Sequence, residues 1–150
     1  MKTLTELLNA TYYSGYSGTP GASGDTGASG FSGFSGQSST NPYDVVTSIE
    51  GKPTANSYIL TFITVRSFTI PIGFNGSLGI CANPATSESI FTITKNGLSV
   101  GTITFSAAAT SATFSGSAGS FAIGDVLRIV SPVIQDSTLA DIGITLKGTA

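Results

Sequence analysis

The sequence predicts an all-β protein in three parts. A short N-terminal anchor occupies residues 1–14, a collagen-like triple helix residues 15–38, and a C-terminal β-sandwich or jelly-roll knob residues 43–150, with a linker at 39–42. Three observations predict this. Glycine recurs at every third position from Gly15 to Gly36. From Tyr43 onward, short runs rich in Ile, Val, Thr and Phe alternate with clusters of Gly, Pro, Asn and Ser. No stretch of that second region carries a 3.6-residue apolar period.

In chain order, the leading segment comes first. Leu4, Leu7 and Leu8 fall on one face of a helix, and Thr3 with Glu6 fits a capping box. One or two helical turns are marginal alone in water, so such a helix needs a partner surface. The three leucines are the candidate anchoring residues; the alternative is a frayed tail. The segment lacks the apolar core of roughly 7–15 residues that a cleaved secretory signal carries, and Glu6 comes early. No run reaches the roughly 18 apolar residues of a membrane helix. Neither a leader nor a membrane span is expected.

The shaft follows. Gly15, Gly18, Gly21, Gly24, Gly27, Gly30, Gly33 and Gly36 keep strict register through eight Gly-X-Y triplets. Period three has a specific cause: in a triple helix every third residue faces a crowded axis where only hydrogen fits as a side chain. A flexible Gly/Ser linker has a similar composition but no need for register. The shaft is weak by composition. Pro20 is its one proline, and Ser or Thr holds every other Y position, so little polyproline stiffness is built in. Tyr16, Phe31 and Phe34 take X positions, which point outward. At about 3.1 Å per residue, the segment spans roughly 70 Å. It needs a trimerising domain to hold three strands in register.

Strands are expected at 44–50, 57–64, 66–72, 78–82, 90–94, 98–105, 112–115, 126–130 and 141–147. Period two is clearest in Tyr58/Leu60/Phe62, Phe68/Ile70/Ile72 and Ile142/Ile144/Leu146. Lys95-Asn96-Gly97 reads as a tight hairpin, because Asn-Gly supplies the positive φ such a turn requires. Charged residues make up 9% of the chain, against roughly 25% in ordinary soluble domains. Threonine and serine therefore cover the outer face. A sandwich with so little charge is suited to burying part of its exterior against copies of itself, which favours a homotrimer.

Composition also excludes chemistry. The net charge is −2, so clustered Lys and Arg for phosphate neutralisation are missing and no nucleic-acid partner is expected. There is no His, no Trp and one Cys. Ser-His-Asp and Cys-His arrangements fail without His, and tetrahedral zinc ligation or an alternating-Asp calcium loop finds no match. Asp44, Glu50, Glu88, Asp125, Asp136 and Asp141 are separated in sequence, although a glycosidase-like pair can still meet in space. No catalytic residue, metal or cofactor is assigned. Cys81, in Leu78-Gly79-Ile80-Cys81-Ala82, reads as a buried small hydrophobe. Arg66 and Arg128 pair with carboxylates or sit on the surface.

The run Gly30-Phe31-Ser32-Gly33-Phe34-Ser35-Gly36 joined to a small β knob resembles the collagen-containing fibre proteins of tailed bacteriophages. The knob stretches Phe91–Gly97, Gly101–Phe105 and Gly124–Leu127 are loosely similar to C-terminal domains of such proteins. The resemblance implies a trimeric structural component at the virion surface, assembled in the host cytoplasm, and it carries no catalytic residues across. As a capsid decoration protein or head fibre, the chain would bind the major capsid protein or another virion protein through its N-terminus and project its knob. As a tail fibre, the knob would recognise a host receptor, including a host surface glycan. Tail fibres usually need a long shaft and a dedicated attachment domain, so the capsid is favoured. A third reading is a carbohydrate-binding module on a bacterial or spore surface. It would need aromatic platforms, yet Trp is absent and most Phe residues fit core positions.

Overall fold

A computed structural model describes Gly21, residues 40–117 and residues 119–150. The chain divides into two compact units, Met1–Gln37 and Ser38–Ala150. The second unit is all-β. Its strands are β1 (Val45–Ile49), β2 (Tyr58–Ile63), β3 (Phe68–Ile70), β4 (Leu78–Asn83), β5 (Ser89–Lys95), β6 (Leu98–Phe105), β7 (Thr113–Gly116), β8 (Gly119–Phe121), β9 (Val126–Val130) and β10 (Ala140–Leu146), with one 3-10 turn at Ile72–Phe74.

Every ladder is antiparallel. One sheet has the order β1-β10-β4, a second the order β2-β9-β5-β6-β7, and β3 pairs with β8. Residues 110–112 extend the first sheet beyond β4: the Cys81 amide donates to the Thr110 carbonyl and the Ala112 amide to the Gly79 carbonyl, each at 2.9 Å. One residue later the chain becomes β7 and joins β6 in the second sheet. A strand that changes sheets in this way makes a corner between the two layers. On the opposite side, Thr47 Oγ1 donates to the Ile59 carbonyl at 3.1 Å and ties β1 to β2.

Alternation along the strands builds the core between the layers. Phe91 and Ile93 of β5, Ile103 and Phe105 of β6, and Leu127 and Ile129 of β9 are buried from one side. Cys81 of β4 and Ile142, Ile144 and Leu146 of β10 are buried from the other. Full burial of such a side chain stabilises by about 1.5–3 kcal/mol. A second aromatic group sits beneath β3 and β8, where Phe68 stacks on Phe121 at 4.9 Å and meets Tyr43 at 4.9 Å.

The expected strands form, with informative differences. β6 and β9 have the expected bounds, and the Asn-Gly hairpin joins β5 to β6 with φ of 51° at Asn96 and 85° at Gly97. Ile142, Ile144 and Leu146 all face the core. The other two period-two sets break. Tyr58 is exposed because the β2–β9 register shifts between Tyr58 and Leu60. Ile72 is exposed because β3 ends at Ile70 and Pro71 leads into the 3-10 turn. β8 was not expected: at three residues beginning with glycine, it exists through its pairing with β3.

Asp136 joins two loops of the second unit. One carboxylate oxygen accepts from the amide and hydroxyl of Thr86 at 3.0 and 2.7 Å and from the Ser87 amide at 3.1 Å. The other accepts from the amide and hydroxyl of Thr138 at 2.8 and 2.9 Å and from the Leu139 amide at 3.0 Å. The loop before β5 is thereby joined to the loop before β10. The Thr86 hydroxyl and the Thr138 amide lead in holding this carboxyl far below the usual carboxylate range.

Candidate functional site

The expected anchoring residues Leu4, Leu7 and Leu8 lie outside the described residues, as do Gly15, Gly18, Gly24, Gly27, Gly30, Gly33 and Gly36. Gly21 is described. It is exposed, and a Cβ built on it meets no atom within 4 Å, so the chain's own packing does not require glycine there.

The most distinctive surface of the second unit is the outer face of β1-β10-β4. Strand alternation sends large apolar side chains outward here: Val46 is 65% exposed, Leu78 71% and Ile80 62%. Cross-strand register sets them side by side. Val46 and Leu78 both flank Thr145, while Ser48 and Ile80 both flank Gly143. The missing side chain at Gly143 leaves a shallow groove of about 270 Å³, walled by Val46, Leu78 and Ile80. None of the groove's lining residues is charged.

This outward set was not legible in the sequence. In Leu78-Gly79-Ile80-Cys81 the bulky residues look like the core positions, yet Gly79 and Cys81 are the buried ones. The reason lies in distant residues: a Cβ at Gly79 would meet Ala112 at 2.9 Å, with Phe114 and Phe105 just beyond. That packing space is taken by the neighbouring segment 110–112 and by Phe105 and Phe114 of the second sheet. Gly143, between two isoleucines within a strand, was the one local signal, since a strand glycine often marks a close approach by another backbone or a ligand.

Two further surfaces are concave. A groove of about 740 Å³ runs beside Lys52, Pro84, Thr86, Ala108 and Thr138. Asp136 below it is buried and spends both oxygens on loop groups, so it offers no free acid or base. A smaller cleft of about 260 Å³ is lined by Asn56, Tyr58, Thr94, Gly97, Arg128 and Val130. There the Arg128 guanidinium lies 4.8 Å from the centre of the Tyr58 ring, a cation–π contact that occupies one aromatic face. Tyr58 is the one strongly exposed aromatic residue among those described.

Three further charged groups, Lys95, Asp125 and Asp141, are tied into the fold. Lys95 bridges Asp125 at 3.0 Å. Asp125 also accepts from Asn96 Nδ2 and from the Ala122 amide, and these bonds, led by Asn96, hold its carboxyl down at about 2. Asp141 accepts from the Gly51 amide at 2.7 Å and from Asn83 Nδ2 at 3.1 Å. Cys81 is buried, which pushes its thiol up. Among the described residues no group of three His, Cys, Asp or Glu side chains is placed to hold a metal ion. Family models, curated proteins and solved structures were all compared with this chain, and none matches.

Proposed function

We propose that this chain is a non-enzymatic structural protein of a phage virion: a homotrimeric capsid decoration protein or head fibre. Residues 1–14 attach to the major capsid protein or a neighbouring virion protein, residues 15–38 form a short collagen-like shaft, and a jelly-roll knob projects from it. One observation carries the reading: eight in-register Gly-X-Y triplets end a few residues before an all-β unit. A triple helix of that length with a single proline needs a folded partner domain to align its chains, and the β unit stands where that domain is required. Its exposed apolar face and low charge suit association with copies of itself. Imaging purified particles carrying a label on the C-terminus tests the assignment. Label on the head supports capsid decoration. Label confined to the tail tip would replace it with a receptor-binding fibre.

A further inference from the structure

We propose that the outer face of β1-β10-β4, centred on Val46, Leu78, Ile80 and Gly143, is the surface through which each knob packs against the two other copies of this chain. The inference rests on the trimer reading and names the surface responsible.

Three observations select this face and this occupant. The first is where the shaft leads. Asn41 and Ala150 exchange backbone hydrogen bonds at 3.1 and 2.9 Å, and the Tyr43 amide donates to the Gly148 carbonyl at 2.9 Å. The incoming chain is therefore already fastened to the β1–β10 ladder at Asn41, three residues after Ser38, where the Gly-X-Y register ends. Three residues reach at most about 11 Å. In the proposed trimer each chain therefore enters the second unit through this same sheet.

The second observation is Gly143. Its φ is not in the left-handed region, and an added Cβ would meet nothing closer than Ile80 Cγ1 at 3.7 Å, an ordinary contact. Neither backbone conformation nor internal packing calls for glycine, which weakens a strand interior. The groove it leaves faces outward, so its use is to admit something from outside. The third is chemical character. The groove's lining offers apolar side chains and hydroxyls and no charge, so a strongly charged partner gains nothing from it. The exposed Asp141 of β10 lies outside that lining, bonded to the Gly51 amide and Asn83. Another copy of the same uncharged groove is complementary in kind.

The test uses the full-length chain. Val46→Cys is placed at the proposed interface and Leu98→Cys, 75% exposed on the other sheet, serves as control. Sedimentation first establishes the mass of the wild-type protein. A monomer there would end the trimer reading itself, independently of any variant. With a trimer established, mild oxidation is expected to cross-link Val46→Cys chains, and to leave Leu98→Cys and wild-type protein, whose Cys81 is buried, as single chains on a denaturing gel. Cross-linking at Leu98→Cys but not Val46→Cys would assign the contact to the other sheet and overturn the proposal. As a second reading, Ile80→Asp is expected to sediment at one third of the trimer mass with its β circular dichroism retained. A trimer of wild-type thermal stability would count against the interface.

Discussion

Asp136 shows how much structure one side chain organises. Its ordinary value of 3.8 is lowered in the folded chain by hydroxyl and amide donors from two loops. A carboxyl held below its unfolded value contributes stability that is complete above about pH 4 and is lost as pH falls through the folded value. The knob is therefore expected to tolerate mild acid and to lose stability only below about pH 4. Asp136→Asn removes that acid dependence and leaves donors from Thr86 and Thr138 facing an amide that cannot accept all of them. Thermal melts at pH 3 and pH 7 check both statements: the wild-type difference shrinks in the variant, and the variant melts lower at pH 7. An unchanged melt at pH 7 would mean that the loops are held by their apolar contacts alone. None of this was visible in the sequence, where Asp136 was one of several scattered carboxylates. Hydrogen-bond donors converging across 50 residues of chain have no local signature.

Elements were far more legible than the roles of single residues, and the β5–β6 hairpin shows why. Its Asn-Gly pair sets positive φ at both turn positions by local sterics alone. A Cβ on Gly97 meets nothing within 4 Å, so Gly97→Ala isolates the backbone strain and is expected to destabilise the knob by about 1 kcal/mol. Asn96 does more than turn the chain. Its Oδ1 accepts from the Val126 amide at 2.8 Å and its Nδ2 donates to Asp125 at 2.7 Å, holding the start of β9. Asn96→Gly keeps the turn but frees Asp125, whose carboxyl should rise from about 2 toward 3.8 in an NMR titration. A carboxyl still near 2 would show that Lys95 and the Ala122 amide suffice. β8 and the outward direction of β4 escaped the sequence because each depends on a distant partner, β3 in one case and Ala112 in the other. For the shaft the corresponding test is Gly27→Asp. A carboxylate does not fit at a triple-helix axis, so collagen-type circular dichroism should fall while the knob's β signal survives. An unchanged shaft signal would make residues 15–38 a linker.

At the scale of the whole molecule, function depends on which end attaches. Exposed apolar residues of the second unit, Val46 on β1 and Leu78 and Ile80 on β4, lie on one sheet, where the proposed association between copies would account for them. If they are consumed there, attachment to a larger particle falls to another part of the chain. Leu4, Leu7 and Leu8 form the one cluster of large aliphatic residues ahead of the knob. Burying each in a partner groove contributes roughly 1.5–3 kcal/mol, and three such segments carried on one trimer raise the effective concentration of the second and third at their sites. Deleting residues 1–12 is therefore expected to leave a trimer that sediments normally and keeps its β spectrum, while co-sedimentation with bare capsids is lost. The strands are built from residues beyond the deletion, so a folding defect is not expected to confuse the result. Replacing Leu7 and Leu8 together by Ser should reproduce the loss with the chain length intact. Binding equal to that of the full-length protein in both variants would place the attachment surface elsewhere and reverse the orientation, with the knob toward the particle.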